Sequence, residues 1–179
     1  KLHFIVGSGS DFKKNYWSLV PSASFTYNIS GGVNLGLNYN MRISRPGVSY
    51  LNPYIDRSNP TVLSYGNPDL SVEKSHNVSL VFNYFTPKFM MNMTLGEAFA
   101  NNQIEQYSFM NGTVLNTTYG NIVRSRWTNF TTFMNYALTP KTRIMFNGGV
   151  DYGDIRSNQL GEHSHGWQAT GFLGLQQTL

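Results

Sequence analysis

An unbroken alternation of apolar and polar side chains over residues 33–43 constrains this chain more than any other feature. Val, Leu, Tyr, Met and Ile occupy the odd positions, and Asn, Gly and Arg fill the even ones. Successive side chains of a strand point to opposite faces, so this segment has one apolar and one polar face. The strand is longer than usual, and its polar face carries Asn and Gly where soluble sheets carry Lys, Glu and Thr. Lipid against one face and an aqueous lumen against the other explain both departures.

The composition excludes several classes of protein. Aromatic residues make up 15% of the chain and charged residues only 12%, against about 25% charged in typical domains, which argues against disorder. Cysteine is absent, so there is no disulfide framework and no thiolate metal site. The 13 Lys and Arg residues are too scattered for a nucleic-acid interface. No apolar run approaches the roughly 20 residues of a membrane-spanning helix, whereas barrel strands hide their hydrophobicity in alternation.

The same alternation recurs along the chain, and the connections between the alternating segments differ in length. Short turns are predicted at 28–32, 86–88 and 139–141, the last two both reading Thr-Pro-Lys. Long loops are predicted at about 8–17, 46–72, 101–121 and 153–165. Short turns at one rim and long loops at the other are typical of outer-membrane barrels. We therefore predict an all-β fold: residues 1–179 form one domain, a transmembrane antiparallel β-barrel segment of about eight strands.

Motifs in and around the central loop are specific enough to indicate a family. Residues 41–46 read MRISRP, residues 51–54 read LNPY, and residues 66–75 read GNPDLSVEKS. In this order and spacing they resemble the barrel segment of TonB-dependent outer-membrane receptors, particularly the Bacteroidetes-type outer-membrane β-barrel family. Val72 stands where the family usually has Pro, and Tyr54 where it often has Phe. The motif residues, which we interpret as structural, are Arg42, Arg45, Pro46, Asn52, Pro53, Gly66, Asn67, Pro68 and Glu73.

The resemblance implies an import channel in the outer membrane of a Gram-negative bacterium. It implies a barrel of about 22 strands around an N-terminal plug, with TonB acting through the plug. The plug and the other strands would lie outside this chain, which begins with Lys1 and lacks the terminal aromatic residue of a complete barrel. Outer-membrane lipid and a surface lipoprotein are the expected partners, and nucleic acid is not.

Aromatic residues in the predicted outer loops are the candidate ligand contacts, because rings and amides together suit glycans, peptides or metal chelates. They are Tyr50, Tyr54, Tyr65, Tyr107 and Trp127. Packing of the loops against one another explains the same rings equally well. His163 and His165 could share a strand face and bind a transition metal, but no third ligand stands at a diagnostic spacing. No catalytic motif is present and no cofactor is implied, so we do not expect an enzyme.

Two other functions stay open. About eight strands could close a small, self-contained outer-membrane barrel that acts as an adhesin or a structural anchor. A soluble, ligand-binding β-sandwich with aromatic inner faces is the second alternative, although strands of 12 to 16 residues exceed the usual 3 to 10. The alternatives differ in what covers the apolar face, which is a protein interior in a sandwich and lipid in a barrel.

Overall fold

An antiparallel meander dominates the computed structural model of the chain, which describes residues 2–6, 10–14, 17–157 and 159–178. The large sheet has the strand order β11-β10-β9-β8-β7-β4-β3, with β5 and β6 beside it and a separate β1-β2 hairpin. The elements are β1 (Leu2–Val6), β2 (Ser10–Lys14), β3 (Ser22–Ser30), β4 (Val33–Ser44), α1 (Val48–Leu51), β5 (Asp56–Asn59), β6 (Val62–Ser64), β7 (Glu73–Phe85), β8 (Phe89–Asn111), β9 (Val114–Thr139), β10 (Thr142–Ser157) and β11 (Glu162–Gln177).

The predicted strands are present in the predicted order. Seven of them form the continuous path of the large sheet, and every neighbouring pair along that path is antiparallel. The eighth corresponds to β1, which pairs with β2 and not with the large sheet. The long connection predicted at about 8–17 contains β2 and otherwise lies largely outside the described residues.

Strand register sorts the side chains of the meander onto two different faces. One row crosses all seven strands by direct pairing, and every member of it is apolar. The row is Phe25, Leu37, Leu80, Leu95, Phe130, Val150 and Ala169. We call the surface that contains this row the apolar face. The opposite surface, the polar face, carries the intervening Asn, Ser, Thr and Gly residues.

The apolar face is not sealed inside a protein core. The chain exposes 12145 Å², whereas a compact monomer of this size exposes about 8,800 Å². Leu37 is 48% exposed and Leu80 is 40% exposed, although both lie in the middle of the sheet. A soluble sandwich would cover these side chains with a second sheet, and the described residues form no such layer.

Aromatic rings lie at both ends of the apolar face. Near the short turns, Tyr84 contacts Phe89 at 5.8 Å and Phe89 contacts Tyr136 at 6.2 Å between ring centroids. Toward the other end, Tyr152 lies 4.6 Å from Trp167. Side chains with an apolar body and a polar tip favour the two boundaries of a bilayer, so these clusters match the two aromatic girdles of a membrane barrel.

Two of the predicted long loops are wrong, because the strands continue through them. Residues 101–121 extend β8 and β9 into a long hairpin that turns at Gly112, whose φ is +63°. The preceding Asn111 completes an Asn-Gly pair, a strong hairpin signal, and glycine adopts this positive φ without strain. Residues 153–165 likewise belong mostly to β10 and β11, which pair from Ser157 and Glu162 onward.

The predicted short turns are correct. Residues 86–88 and 140–141 connect their strands directly, and the amide of Thr86 donates to the carbonyl of Phe89 at 2.7 Å. Gly32, with φ at +90°, closes the turn between β3 and β4. All three connections lie at one end of the sheet, and the 46–72 loop and the long hairpin lie at the other. None of the helices in the described part of the chain is long and apolar enough to cross a membrane.

Candidate ligand-binding surface

Side-chain hydrogen bonds run across the strands of the polar face. Asn83 donates to Asn34 at 2.7 Å and accepts from Asn92 at 2.5 Å, so one amide chain crosses β4, β7 and β8. A second chain runs from Ser24 through Asn38 to β7. Amides both donate and accept, so a row of them satisfies itself without charge. The polar face on these strands is therefore an ordered, neutral, hydrophilic wall.

An exposed indole lies on this polar face toward the long-hairpin end. Trp127 is 49% exposed and belongs to β9, so its predicted position in an outer loop is wrong. It pairs with Ala98 on one side and Gly153 on the other, and a β-carbon on Gly153 would lie 2.6 Å from the ring. The small neighbours leave room for the ring to lie over the sheet.

Polar groups surround this indole in an open concavity of about 270 Å³. Its lining includes Trp127, Asp151, Gly153 and Gln168. Asp151 pairs directly with Gln168 and with Asn129, so register places a carboxylate between two amides one row below the ring. A flat ring beside hydrogen-bonding groups binds ligands that combine an apolar surface with hydroxyl or amide groups.

The central loop, residues 46–72, is an ordered structure with a small core of its own. Leu51 and Leu70 are almost completely buried and are the largest fully buried side chains among the described residues. The amide of Gly66 donates to the carbonyl of Asn52 at 2.8 Å, which ties the two halves of the loop together. A β-carbon on Gly66 would lie 2.5 Å from that same carbonyl oxygen, so only glycine fits this approach.

Hydrogen bonds attach the central loop to the long hairpin. Asn121 accepts from the amide of Ser71 at 2.8 Å, and its own amide group donates to the carbonyls of Ser71 and Asn102. Asn67 donates to the carbonyl of Tyr119 at 2.8 Å. Strand β6 adds a parallel pairing with β9 at residues 115–117. The loop and the hairpin therefore form one connected unit at this end of the sheet.

The family-motif residues for which the structure shows specific contacts stabilise the central loop and its junction with the sheet. Pro46 is buried, and the side chain of Asn52 accepts from the amide of Tyr54 at 3.1 Å in a local turn. Glu73 accepts from the amide of Ile104 at 2.6 Å across to β8. The remaining residues of the set flank these contacts: Arg42 and Arg45 are exposed, and Pro53, Asn67 and Pro68 are half-buried.

The four predicted tyrosines are not gathered into one site. Tyr50 stacks on Tyr119 with ring centroids 4.4 Å apart, which is packing between the loop and the hairpin. Tyr54 is 61% exposed. Tyr65 is half-buried, and its backbone amide donates to the carbonyl of Thr117. Tyr107 lies on strand β8, not in a loop as predicted.

Asp56 stabilises the start of strand β5 in the central loop. Its carboxylate accepts hydrogen bonds from the hydroxyl and from the amide of Ser58, the latter at 2.9 Å. Hydrogen bonds to the charged form of a carboxylate favour that form, so the Ser58 hydroxyl first and its amide second lower the pKa of Asp56. Asp56 is consequently an anionic group on the solvent side of the loop at neutral pH.

The two histidines lie together, but they do not assemble a metal site. Their ring centroids are 4.9 Å apart, and His163 Nε2 lies 3.0 Å from Asp154 Oδ2. Arg156 also binds both oxygens of Asp154, at 2.7 and 2.9 Å. Among the described residues, no group of three or more His, Asp or Glu side chains could hold a metal ion. The carboxylate that would be the third ligand beside His165 is already engaged by a guanidinium.

Sequence reasoning missed the groups that accompany Trp127. Asp151 and Gln168 are 17 positions apart in the chain and meet only through the register of β10 with β11. The alternation did place each of them on the polar side of its strand, so assuming a tight hairpin at residues 158–161 would have paired them.

The family model for the outer membrane protein beta-barrel family matches residues 5–179. The chain belongs to this family. The resemblance predicted from the loop motifs is therefore confirmed, and so are the all-β barrel class and the location in the outer membrane. The apolar face of this family member is accordingly the surface that contacts lipid, and the polar face lines the lumen. None of the curated proteins compared with the chain matches it.

Several solved structures align with this chain at low sequence identity. The siderophore receptor PirA from Pseudomonas aeruginosa aligns with a TM-score of 0.59 and 14% identity, over 87% of this chain and 35% of its own. A mutant ferric enterobactin receptor, PfeA, from the same species aligns with a TM-score of 0.47 and 14% identity, over 89% of this chain and 32% of its own. PirA from Acinetobacter baumannii aligns with a TM-score of 0.44 and 13% identity, over 87% and 34%. This chain spans about a third of the length of these receptors.

Proposed function

We propose that this chain is part of the barrel wall of a TonB-dependent receptor that imports a nutrient through the outer membrane. The observation that carries the proposal is the large sheet itself, which has one lipid-type face, one hydrated face, and an ordered loop and hairpin at a single end. The nutrient would be a glycan, a peptide or a metal chelate. The siderophore receptor PirA from Pseudomonas aeruginosa, which aligns with a TM-score of 0.59, shares the fold, and this supports an import role.

The open sheet favours a receptor over a self-contained small barrel. Strands β3 and β11 are the two ends of the strand order, and among the described residues they do not pair with each other. Unpaired strand edges are not tolerated in a bilayer, because their amides and carbonyls would lack partners. We propose that further strands of the same receptor pair with β3 and β11, and that a plug fills the lumen they enclose.

Within the receptor, the proposed substrate contact is Trp127 with its polar neighbours. The ring is half exposed on the lumen side, close to the outer end of the barrel where a substrate enters. Asp151 and Gln168 supply hydrogen-bonding groups beside it, and Tyr54 offers a second exposed ring in the central loop. Stacking on such rings contributes about 0.5 to 1.5 kcal/mol beyond the area they bury.

Uptake by the complete protein in its native membrane tests the proposal. Cells that carry the wild-type gene, a deletion, or the Trp127→Ala variant would be given labelled glycans, peptides and ferric chelates. We expect one class to accumulate in wild-type cells, to be lost on deletion or on removal of TonB, and to be reduced by Trp127→Ala. Trp17→Ala is the matched control, because Trp17 is 90% exposed and lies outside the concavity.

Two results would contradict the proposal in different ways. Uptake that persists without TonB would exclude import energised by TonB. This holds even if deletion of the gene for this protein abolished uptake. Equal uptake by Trp127→Ala and Trp17→Ala would remove the assigned contact while leaving the receptor function in place. Variant proteins should be compared at equal abundance in the outer membrane, since an unstable barrel also reduces uptake.

A further inference from the structure

Cationic side chains collect on the apolar face immediately beyond its aromatic belt. Register across β8, β9, β10 and β11 places Glu97, Thr128, Tyr152 and Trp167 in one row. The next row toward the long hairpin is Phe99, Arg126, Asp154 and His165. Two residues further along their strands stand Arg124, Arg156 and His163, and Lys74 occupies the corresponding place on β7. The outermost of these rows thus contains three cations, Arg124, Arg156 and Lys74, and no carboxylate among its described members.

The charges are layered, with the acidic groups beneath the basic ones. The Asp154 side chain is 12% exposed, whereas that of Arg156, which binds it through two nitrogens, is 57% exposed. Glu97 is 25% exposed and accepts from Thr128 and from Arg126, whose side chain is 67% exposed. The carboxylates therefore orient the guanidinium groups, and the surface offered to a ligand is positive.

A third guanidinium is uncommitted within the described part of the chain. Arg124 is exposed and forms no ion pair with a described residue. It lines an open concavity of about 400 Å³ in which three guanidinium groups outnumber two carboxylates, each already hydrogen-bonded to one of the other two arginines. The other lining residues are Glu97, Phe99, Asn101, Ser125, Arg126, Asp154 and Arg156. Planar guanidinium groups present paired donors that match the oxygens of a phosphate. Three of them around this concavity, which we call the hollow, are therefore suited to bind a phosphate group.

The position of the hollow selects its occupant. It lies on the lipid side of the sheet and continues directly from the apolar band, not from the lumen. Long connections of outer-membrane barrels face the outside of the cell, so the hollow lies at the outer boundary of the bilayer. A lipid whose acyl chains lie along Leu95 and Phe130 would place its headgroup at this height.

We propose that Arg124, Arg126 and Arg156 bind a phosphate group on the headgroup of an outer-leaflet lipid. The carboxylates of Glu97 and Asp154 position two of these guanidinium groups, and Arg124 supplies the third. The site lies outside the lumen, so it holds the receptor against its lipid and does not touch a transported molecule. It therefore stands whether or not the proposed import function is correct.

Lipid binding by the complete, detergent-purified protein tests this site. Native mass spectrometry would be used to titrate the protein with lipid A that carries two phosphates, and with the same lipid after its phosphates are removed. We expect retention of the phosphorylated form only. Arg124→Gln should weaken it roughly tenfold, the effect of losing one charged hydrogen-bonding group. This variant leaves no carboxylate unpaired. Arg143→Gln is the control, because Arg143 lies near the short turn at the opposite end of β10.

Each alternative outcome would overturn the assignment. Equal retention of the dephosphorylated lipid would mean that the acyl chains alone determine binding. Inorganic phosphate that binds as tightly as the lipid would make this a site for free anions. Equal weakening of lipid binding by Arg124→Gln and Arg143→Gln would show that the net charge of the protein, and not this site, determines binding. Heat-dependent electrophoretic mobility verifies that each variant is folded, and Arg124→Lys, which keeps the charge but loses the paired donors, should bind with intermediate affinity.

Discussion

Gly66→Ala should open the central loop without unfolding the barrel. A β-carbon at this position would lie 2.5 Å from the carbonyl oxygen of Asn52 and 2.7 Å from that of Tyr50. These obstacles are backbone atoms, so no side-chain rotation can relieve the clash. The two halves of the loop must separate, and the hydrogen bonds that join them must lengthen or break.

The expected cost follows from two contributions. The amide of Gly66 donates to Asn52 at 2.8 Å, and that of Asn67 donates to Tyr50 at 2.6 Å. Each such bond contributes about 1 kcal/mol net. Forcing extra atoms into a packed site costs about 1 to 3 kcal/mol, and partial relief by opening makes the two contributions overlap. We therefore expect the free energy that holds the loop closed to fall by about 2 to 4 kcal/mol.

Hydrogen exchange of the complete protein measures this free energy at individual amides. A loss of 2 to 4 kcal/mol corresponds to exchange about 30-fold to 1000-fold faster at residues 65–71, because each 1.4 kcal/mol is a factor of ten. Amides in the middle of β8 and β9 should be unchanged. Gly47→Ala is the matched control in the same loop, since its φ is −63° and the nearest atoms to a new β-carbon lie 3.9 and 4.0 Å away. Equal protection in the two variants would refute the closed loop described above.

Three further predictions concern the two faces and the loop contact. Leu95→Arg places a charge in hydrocarbon, so it should lower the free energy of unfolding in bilayers, measured by urea titration, by about 2 to 4 kcal/mol. Thr94→Arg on the polar face should change this free energy by about 0.5 kcal/mol, and equal effects would contradict the assignment of the faces. Gly153→Ala should displace the indole beside it and reduce uptake, whereas Gly171→Ala, which meets nothing within 4 Å and lies outside the concavity, should not. Uptake equal to wild type in both variants would exclude that contact. Asn121→Ala removes two hydrogen bonds between the loop and the hairpin and one within the hairpin, so it should increase proteolysis of the loop in intact cells. Unchanged proteolysis would count against the docked loop.

The strands of the membrane band were predictable because their chemistry is local. Each of them alternates apolar and polar residues without help from its neighbours, and the Thr-Pro-Lys turns mark where two pairs meet. The outer parts of β8 and β9 carry no such alternation, because they lie beyond the lipid and the central loop packs beside β9, where Asn116 and Thr118 are buried. They were predicted as a loop, and only the Asn-Gly pair at residues 111–112 indicated the hairpin.

The candidate site was harder to predict because it depends on register. Trp127, Asp151 and Gln168 come from three strands. The alternation within each strand does not determine which residues of different strands become neighbours. The layered charges around Asp154 have the same origin. Loop contacts such as the one between Asn67 and Tyr119 join residues 52 positions apart, which no local pattern reveals.

Accessibility of single spin labels along β8 tests most directly whether the apolar face touches lipid. This chain contains no cysteine, so labels can be introduced one at a time at residues 91–95 of the complete protein in bilayers, after replacement of any cysteine that lies outside this chain. We expect labels at Met93 and Leu95 to be accessible to oxygen dissolved in lipid, and labels at Asn92 and Thr94 to be accessible to a water-soluble relaxation agent. Inaccessibility of Met93 and Leu95 to both reagents would mean that protein covers this face, and would contradict the account.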